Sequence, residues 1–162
     1  MSAICPTDVV EAPVGVVWRL LMDPAGWGGV FDVRIIRVDP PGPARVGQQV
    51  HAESGPKLLR LGVGFEFTRI DETQHRLGME VRFPFRVTVT EDMNCAPLGD
   101  DRCRVTYGCD FGFAPGWRGS ITRALLSRRM RRGPAASLAR LKAAAERVHR
   151  LNQTGDGPAH CS

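Results

Sequence analysis

Arg102-Cys-Arg-Val-Thr-Tyr-Gly-Cys-Asp-Phe-Gly-Phe113 decides how the chain is read. Cys103, Val105, Tyr107, Cys109, Phe111 and Phe113 take every second place, with Arg102, Arg104 and Thr106 between them. That period of two belongs to a strand with one face buried and the other wet. The same period extends upstream. Leu59, Leu61, Val63, Phe65 and Phe67 alternate with Arg60, Glu66 and Thr68; Leu77, Met79, Val81 and Phe83 alternate with Arg76, Glu80 and Arg82; and Phe85, Val87 and Val89 alternate with Arg86 and Thr88. Turn-forming runs separate them: Asp39-Pro-Pro-Gly-Pro43, Ser54-Gly-Pro56, Asp71-Glu-Thr-Gln74, Pro84 and Pro97-Leu-Gly-Asp-Asp101. Strands are therefore predicted near 31–38, 47–54, 58–70, 75–83, 85–93 and 102–113, in an antiparallel meander covered on one face only.

The cover has to come from the flanks. Ile4 to Glu11 reads as a first strand and Val14 to Met22 as a helix opened by Pro13, with Val14, Val17, Trp18 and Leu21 on one stripe; glycine-rich Ala25–Gly29 allows only a short helical turn. Downstream, Trp117 to Leu151 carries Ile121, Leu125, Leu138, Leu141, Ala145 and Val148 at helical spacing. Gly133-Pro134 predicts a kink or break there, with Pro134 in the first turn of the second half. The expected architecture is α+β: a curved antiparallel seven-stranded sheet around a long C-terminal helix, with two short helices between strands 1 and 2. Residues 1–151 form one domain in this reading, and 152–162 a polar tail.

Composition excludes several classes. The opening Met1-Ser-Ala-Ile-Cys-Pro-Thr-Asp8 lacks the basic and apolar regions of a secretory signal, and no transmembrane-length apolar run follows, so a cytoplasmic protein is expected. The five cysteines show no CxxC pair and no zinc-type spacing to histidine, which predicts free thiols and no metal. GxSxG, GxxxxGK[ST] and HExxH are all missing, and Gly62-Val-Gly64 lies within a strand pattern, so neither a nucleotide nor another cofactor is expected. Basicity is concentrated: residues 117–150 hold ten Lys and Arg against one Glu. No interleaved aromatics or reading-helix motif accompanies it, which argues against nucleic acid.

The landmarks resemble a family. Glu11-Ala12-Pro13, Val17-Trp18, Leu20-Leu21, Asp23-Pro24 and Trp27 look like the opening signature of the START-like helix-grip superfamily, also called SRPBCC. Gly47, Val105-Thr-Tyr107 and Leu138-Ala-Arg-Leu141-Lys142-Ala with Glu146 resemble its later landmarks, and the likeness spans residues 4–150. The nearest subgroup is the bacterial polyketide cyclase/dehydratase type. That resemblance implies a helix-grip fold and an internal cavity for a hydrophobic, polyketide-like molecule. Gly133-Pro134 departs from the usual grip helix, and the arginine and tyrosine used by aromatic-ring-forming members are matched to no position here.

A cavity that folds a reactive chain into one conformer already lowers the barrier to ring closure, so one or two polar groups suffice. Tyr107, the only tyrosine, lies in the apolar register; its hydroxyl either donates to a ligand carbonyl or bonds to backbone in a plain core. Glu91 shares the register of Val87 and Val89 near the end of its strand, which puts a general base at the cavity rim or an edge carboxylate in water. His51 lies between Val50 and Ala52 and points to solvent unless its strand is bulged. Arg82 falls opposite Val81 and Phe83, on the wet face unless Pro84 twists the strand. Trp27 is a candidate to cover the mouth, and Phe65, Phe67, Met79, Phe83, Val89, Phe111 and Leu125 either line a pocket or fill an ordinary core.

The expected function is a cyclase or dehydratase acting on a hydrophobic substrate; the alternative is a non-catalytic carrier of a lipid-like or quinone-like molecule. The run Arg128-Arg129-Met130-Arg131-Arg132 suits docking of an acidic acyl carrier protein, or an anionic lipid surface, and equally a solvated helix face. A homodimer stays open.

Overall fold

A computed structural model describes residues 3–55, 60–113 and 117–155, with side chains in the last segment from Arg132 onward. Its sheet is antiparallel throughout, formed by β1 (Ala3–Ile4), β2 (Thr7–Val10), β3 (Val33–Asp39), β4 (Gln49–Ser54), β5 (Leu61–Asp71), β6 (Arg76–Phe83), β7 (Val87–Pro97) and β8 (Cys103–Gly112). β1 and β2 both pair with β8 and are one strand interrupted at Cys5-Pro6, where proline has no N–H for the ladder. The sheet thus counts seven strands, curved in the manner of a helix-grip fold, in the order β1/β2-β8-β7-β6-β5-β4-β3.

Helix α1 (Val14–Leu21) and a 3₁₀ helix (Pro24–Gly29) stand between β2 and β3. The expected stripe on α1 is present, with Val16 buried more deeply than Val14. In the 3₁₀ turn a Cβ at Gly26 would lie 2.6 Å from Asp23 Oδ2, so a larger residue there would displace the Asp23 carboxylate. Gly47, at φ +81, makes the turn into β4 and donates its N–H to the Phe67 carbonyl at 2.8 Å.

The structure departs from the sequence reading at four places. The last helix, α2 (Trp117–Gly155), runs unbroken through Gly133-Pro134 and continues past Leu151 into the segment read as a tail. A bulge between Phe67 and Arg69 advances the alternation by one, so Ile70 packs inward opposite Leu77. Pro84–Arg86 is a 3₁₀ turn, so Phe85 precedes its strand. β7 continues to Pro97, opposite Cys103, well past the expected end at residue 93.

The core is the concave face of the sheet. Val63, Phe67, Leu77, Met79, Val81, Val89, Met93, Val105 and Tyr107 are buried there. α2 is anchored by Leu138, Leu141, Ala144 and Ala145, which face α1, β2 and β8. Lys142 Nζ to Asp8 Oδ1 at 3.1 Å and Glu146 Oε1 accepting the Glu11 N–H at 3.1 Å tie the same half of the helix to the first strand.

Candidate functional site

A cavity of about 390 Å³ lies between the concave face and the helix. Its walls come from β5, β6, β7 and β8, and one border is the α2 segment from Gly133 to Arg140. The hollow has a structural cause. The helix is anchored over α1, β2 and β8, and a cluster of Trp27 with Phe31, Phe65 and Phe67, at ring separations of 5.4–5.6 Å, occupies the flank beneath the 3₁₀ helix. Between these two packed regions no described side chain fills the concave face.

Among the described residues, Glu91 and Tyr107 are the two ionisable groups buried in the cavity wall. On the β7–β8 pair Glu91 faces Cys109 and Met93 faces Tyr107, so Glu91 and Tyr107 are diagonal neighbours on one face. That places the Tyr107 hydroxyl beside the Glu91 carboxyl, near enough to influence its proton affinity. Glu91 is only 9% exposed, and burial pushes its carboxyl up to about 7, with the Tyr107 hydroxyl pulling weakly the other way. Burial, together with the neighbouring Glu91 charge, drives the Tyr107 phenol well above its ordinary value and keeps it protonated. Cys109 stands opposite Glu91 on the neighbouring strand, and burial raises its thiol.

Glu91 therefore differs from the expected rim or edge carboxylate. β7 extends well beyond it, so the residue lies mid-strand and deep. His51 and Arg82 are not brought to this site. His51 is exposed on the outer face between Val50 and Ala52, and Arg82 lies outside the cavity, bonded to Glu66 and Glu80 at 2.7 Å each. The alternation that points Val50 and Val81 inward necessarily points both of these outward. Phe65, Met79, Phe83, Val89 and Phe111 line the cavity. Phe67 is buried behind the lining against Trp27. Trp27 is 1% exposed with its Nε1 donating to the Leu21 carbonyl at 3.2 Å, so it is a wall residue and not a cover. The side chains of Leu125, Arg128, Arg129 and Arg131 lie outside the described residues.

Sequence reasoning missed the polar rim. Asp32, Ser54, Ser137 and Arg140 all border the cavity, and Arg140 Nη1 stands 3.2 Å from Asp32 Oδ1. The helix register held a signal for part of it, since Ser137 and Arg140 are one turn apart beside Leu138 and Leu141. Cys95 and Cys103 are free and buried; burial lifts their thiols to about 12 and about 11, which leaves them unreactive near neutrality. No described helix is long and apolar enough to cross a membrane.

Known structures with this arrangement include an aromatase/cyclase from Streptomyces sp. R1128, at 17% identity over 90% of this chain and 94% of that one, with a TM-score of 0.70. Norcoclaurine synthase from Thalictrum flavum, in complex with dopamine and hydroxybenzaldehyde, superimposes at a TM-score of 0.65 with 15% identity, over 97% of this chain and 89% of that one. These likenesses establish the helix-grip fold. No curated protein matches the sequence. The family model described as polyketide cyclase / dehydrase and lipid transport matches residues 7–146, so the chain belongs to that family, within the START-like helix-grip superfamily.

Proposed function

We propose that this protein is a cyclase or dehydratase that folds a polyketide-like, largely apolar substrate in its cavity and moves protons with Glu91. The observation that carries this reading is a buried carboxyl facing an apolar cavity beside a buried phenol on the next strand, with burial holding the carboxyl's proton to about 7 and keeping the phenol protonated. A group with such a pKa is divided between acid and base at working pH, which suits shuttling one proton back and forth. A cavity of about 390 Å³ is at the small end of those that hold organic ligands.

The steps balance without an oxidant. Ionised Glu91 takes a proton from carbon between two carbonyls. The resulting enolate attacks a second carbonyl of the folded chain; a carbon–carbon bond forms and the carbonyl π pair moves to oxygen. The Tyr107 hydroxyl donates a hydrogen bond to that developing oxyanion, and Glu91 returns its proton to it. For dehydration, Glu91 removes a second α-proton, the new enolate expels hydroxide, and protonated Glu91 supplies the proton that makes it water. The walls fix the conformer and exclude solvent.

A synthetic poly-β-ketone thioester tests this. The wild type is expected to give a product lighter by one water. Glu91→Gln should lose about 100-fold or more in turnover while still binding the thioester, with a smaller loss in Tyr107→Phe. Wild-type turnover in Glu91→Gln overturns the acid–base role, and absence of turnover in every form with binding intact makes the protein a carrier.

A further inference from the structure

The polar groups of the cavity fall into two sets. Glu91 and Tyr107 are buried in the wall. Asp32 and Arg140 are exposed, and Ser54 and Ser137 half-buried, on the border. The remaining lining is mostly apolar, with Phe65, Val81, Val89 and Phe111 among it. A molecule that matches this pattern has a greasy body and one polar end.

The charge of that end follows from Arg140. Its Nη1 reaches 3.2 Å to Asp32 Oδ1, linking the helix to the segment just before β3. The two side chains are 50% and 76% exposed, so water competes for both and the pair is weak. A guanidinium presents a planar fork that binds carboxylate or phosphate through paired hydrogen bonds. Asp32 thus occupies, with an oxyanion of its own, a position that a ligand oxyanion could take with the added advantage of burying an attached apolar chain. Among the described residues Asp32 is the ion-pair partner of Arg140.

We propose that Arg140 is the head-group anchor of the cavity, exchanging Asp32 for the carboxylate or phosphate at the end of an apolar ligand. This rests on the reading of the cavity as the substrate site and names the substrate class: an amphiphile with an oxyanion at one end. Arg140 positions the ligand and takes no part in proton transfer.

Calorimetric titration with decanoate, decyl phosphate and 1-decanol, at about pH 8 where carboxylates are ionised, separates the contributions. The wild type is expected to prefer decanoate over 1-decanol by about tenfold at low salt, shrinking as salt is added. Arg140→Met, which keeps the aliphatic stem, should bind decanoate and 1-decanol within about twofold of each other, with 1-decanol affinity unchanged. Asp32→Asn should tighten decanoate binding by removing the competitor. A stronger preference for decyl phosphate than for decanoate assigns the head to phosphate; the reverse assigns it to carboxylate. An undiminished preference in Arg140→Met, or a wild type indifferent to head charge, overturns the anchor. Those results leave the cavity reading standing so long as 1-decanol binds and Val81→Trp, which fills the cavity, blocks it. Failure of 1-decanol to bind at all counts against the cavity itself.

Discussion

Glu91 makes the stability of this protein depend on pH. In the unfolded chain its carboxyl loses its proton near 4.5, whereas in the fold burial holds the proton to about 7. Between those values the native state binds more protons than the unfolded one, so stability falls as pH rises. The contribution is complete below about 4.5, declines to about 7 and is level above it, a loss on the order of 3 kcal/mol. Glu91→Gln should remove that slope: urea midpoints across this range should flatten, and at about pH 8 the variant should be the more stable form. A slope in Glu91→Gln equal to that of the wild type would assign the effect to other groups. The register of Glu91 was legible in sequence beside Val87 and Val89; its depth was not, because depth depends on how far the hairpin runs beyond it.

At the scale of elements, Gly133-Pro134 shows how a local rule is met without ending a helix. Proline removes one N–H from the ladder and crowds the residue before it chiefly through that residue's Cβ. Glycine has no Cβ, so position 133 remains helical and α2 continues. The missing rung still carries a cost. Pro134→Ala should raise unfolding stability by about 1–2 kcal/mol, the helix-interior penalty of proline less the packing lost at a buried cavity-lining site. Chemical denaturation reads it, and an unchanged or lower stability would mean that Pro134 shapes the cavity wall more than it strains the helix. The bulge after Phe67 is the second such case: the sequence shows alternation on either side, yet only pairing with β6 decides where it slips.

For the molecule as a whole, the hollow depends on where the helix is held. Leu141, 1% exposed, sits in the stripe that clamps α2 to the sheet and α1. Leu141→Ala should cost about 3 kcal/mol, by lost burial and the void left behind, and should weaken ligand binding in parallel. Val46→Ala, at a side chain 61% exposed, should change stability by no more than about 0.5 kcal/mol. Equal effects from the two substitutions would remove Leu141 from the clamp.

Periodicity alone determined most of the architecture. Strand faces follow from a repeat of two and helix stripes from a repeat near 3.6, both imposed by local backbone geometry, so inward Tyr107 and outward His51 and Arg82 were already implied in the chain. Residues distant in sequence decided the rest. The Glu91 carboxyl is set by solvent exclusion in a wall built from β7 and β8, the Asp32–Arg140 pair joins positions on separate elements, and the cavity is the space that the aromatic cluster and the anchored helix leave between them. Burial and electrostatic neighbourhood are properties of three-dimensional packing, and no local pattern of residue types encodes them.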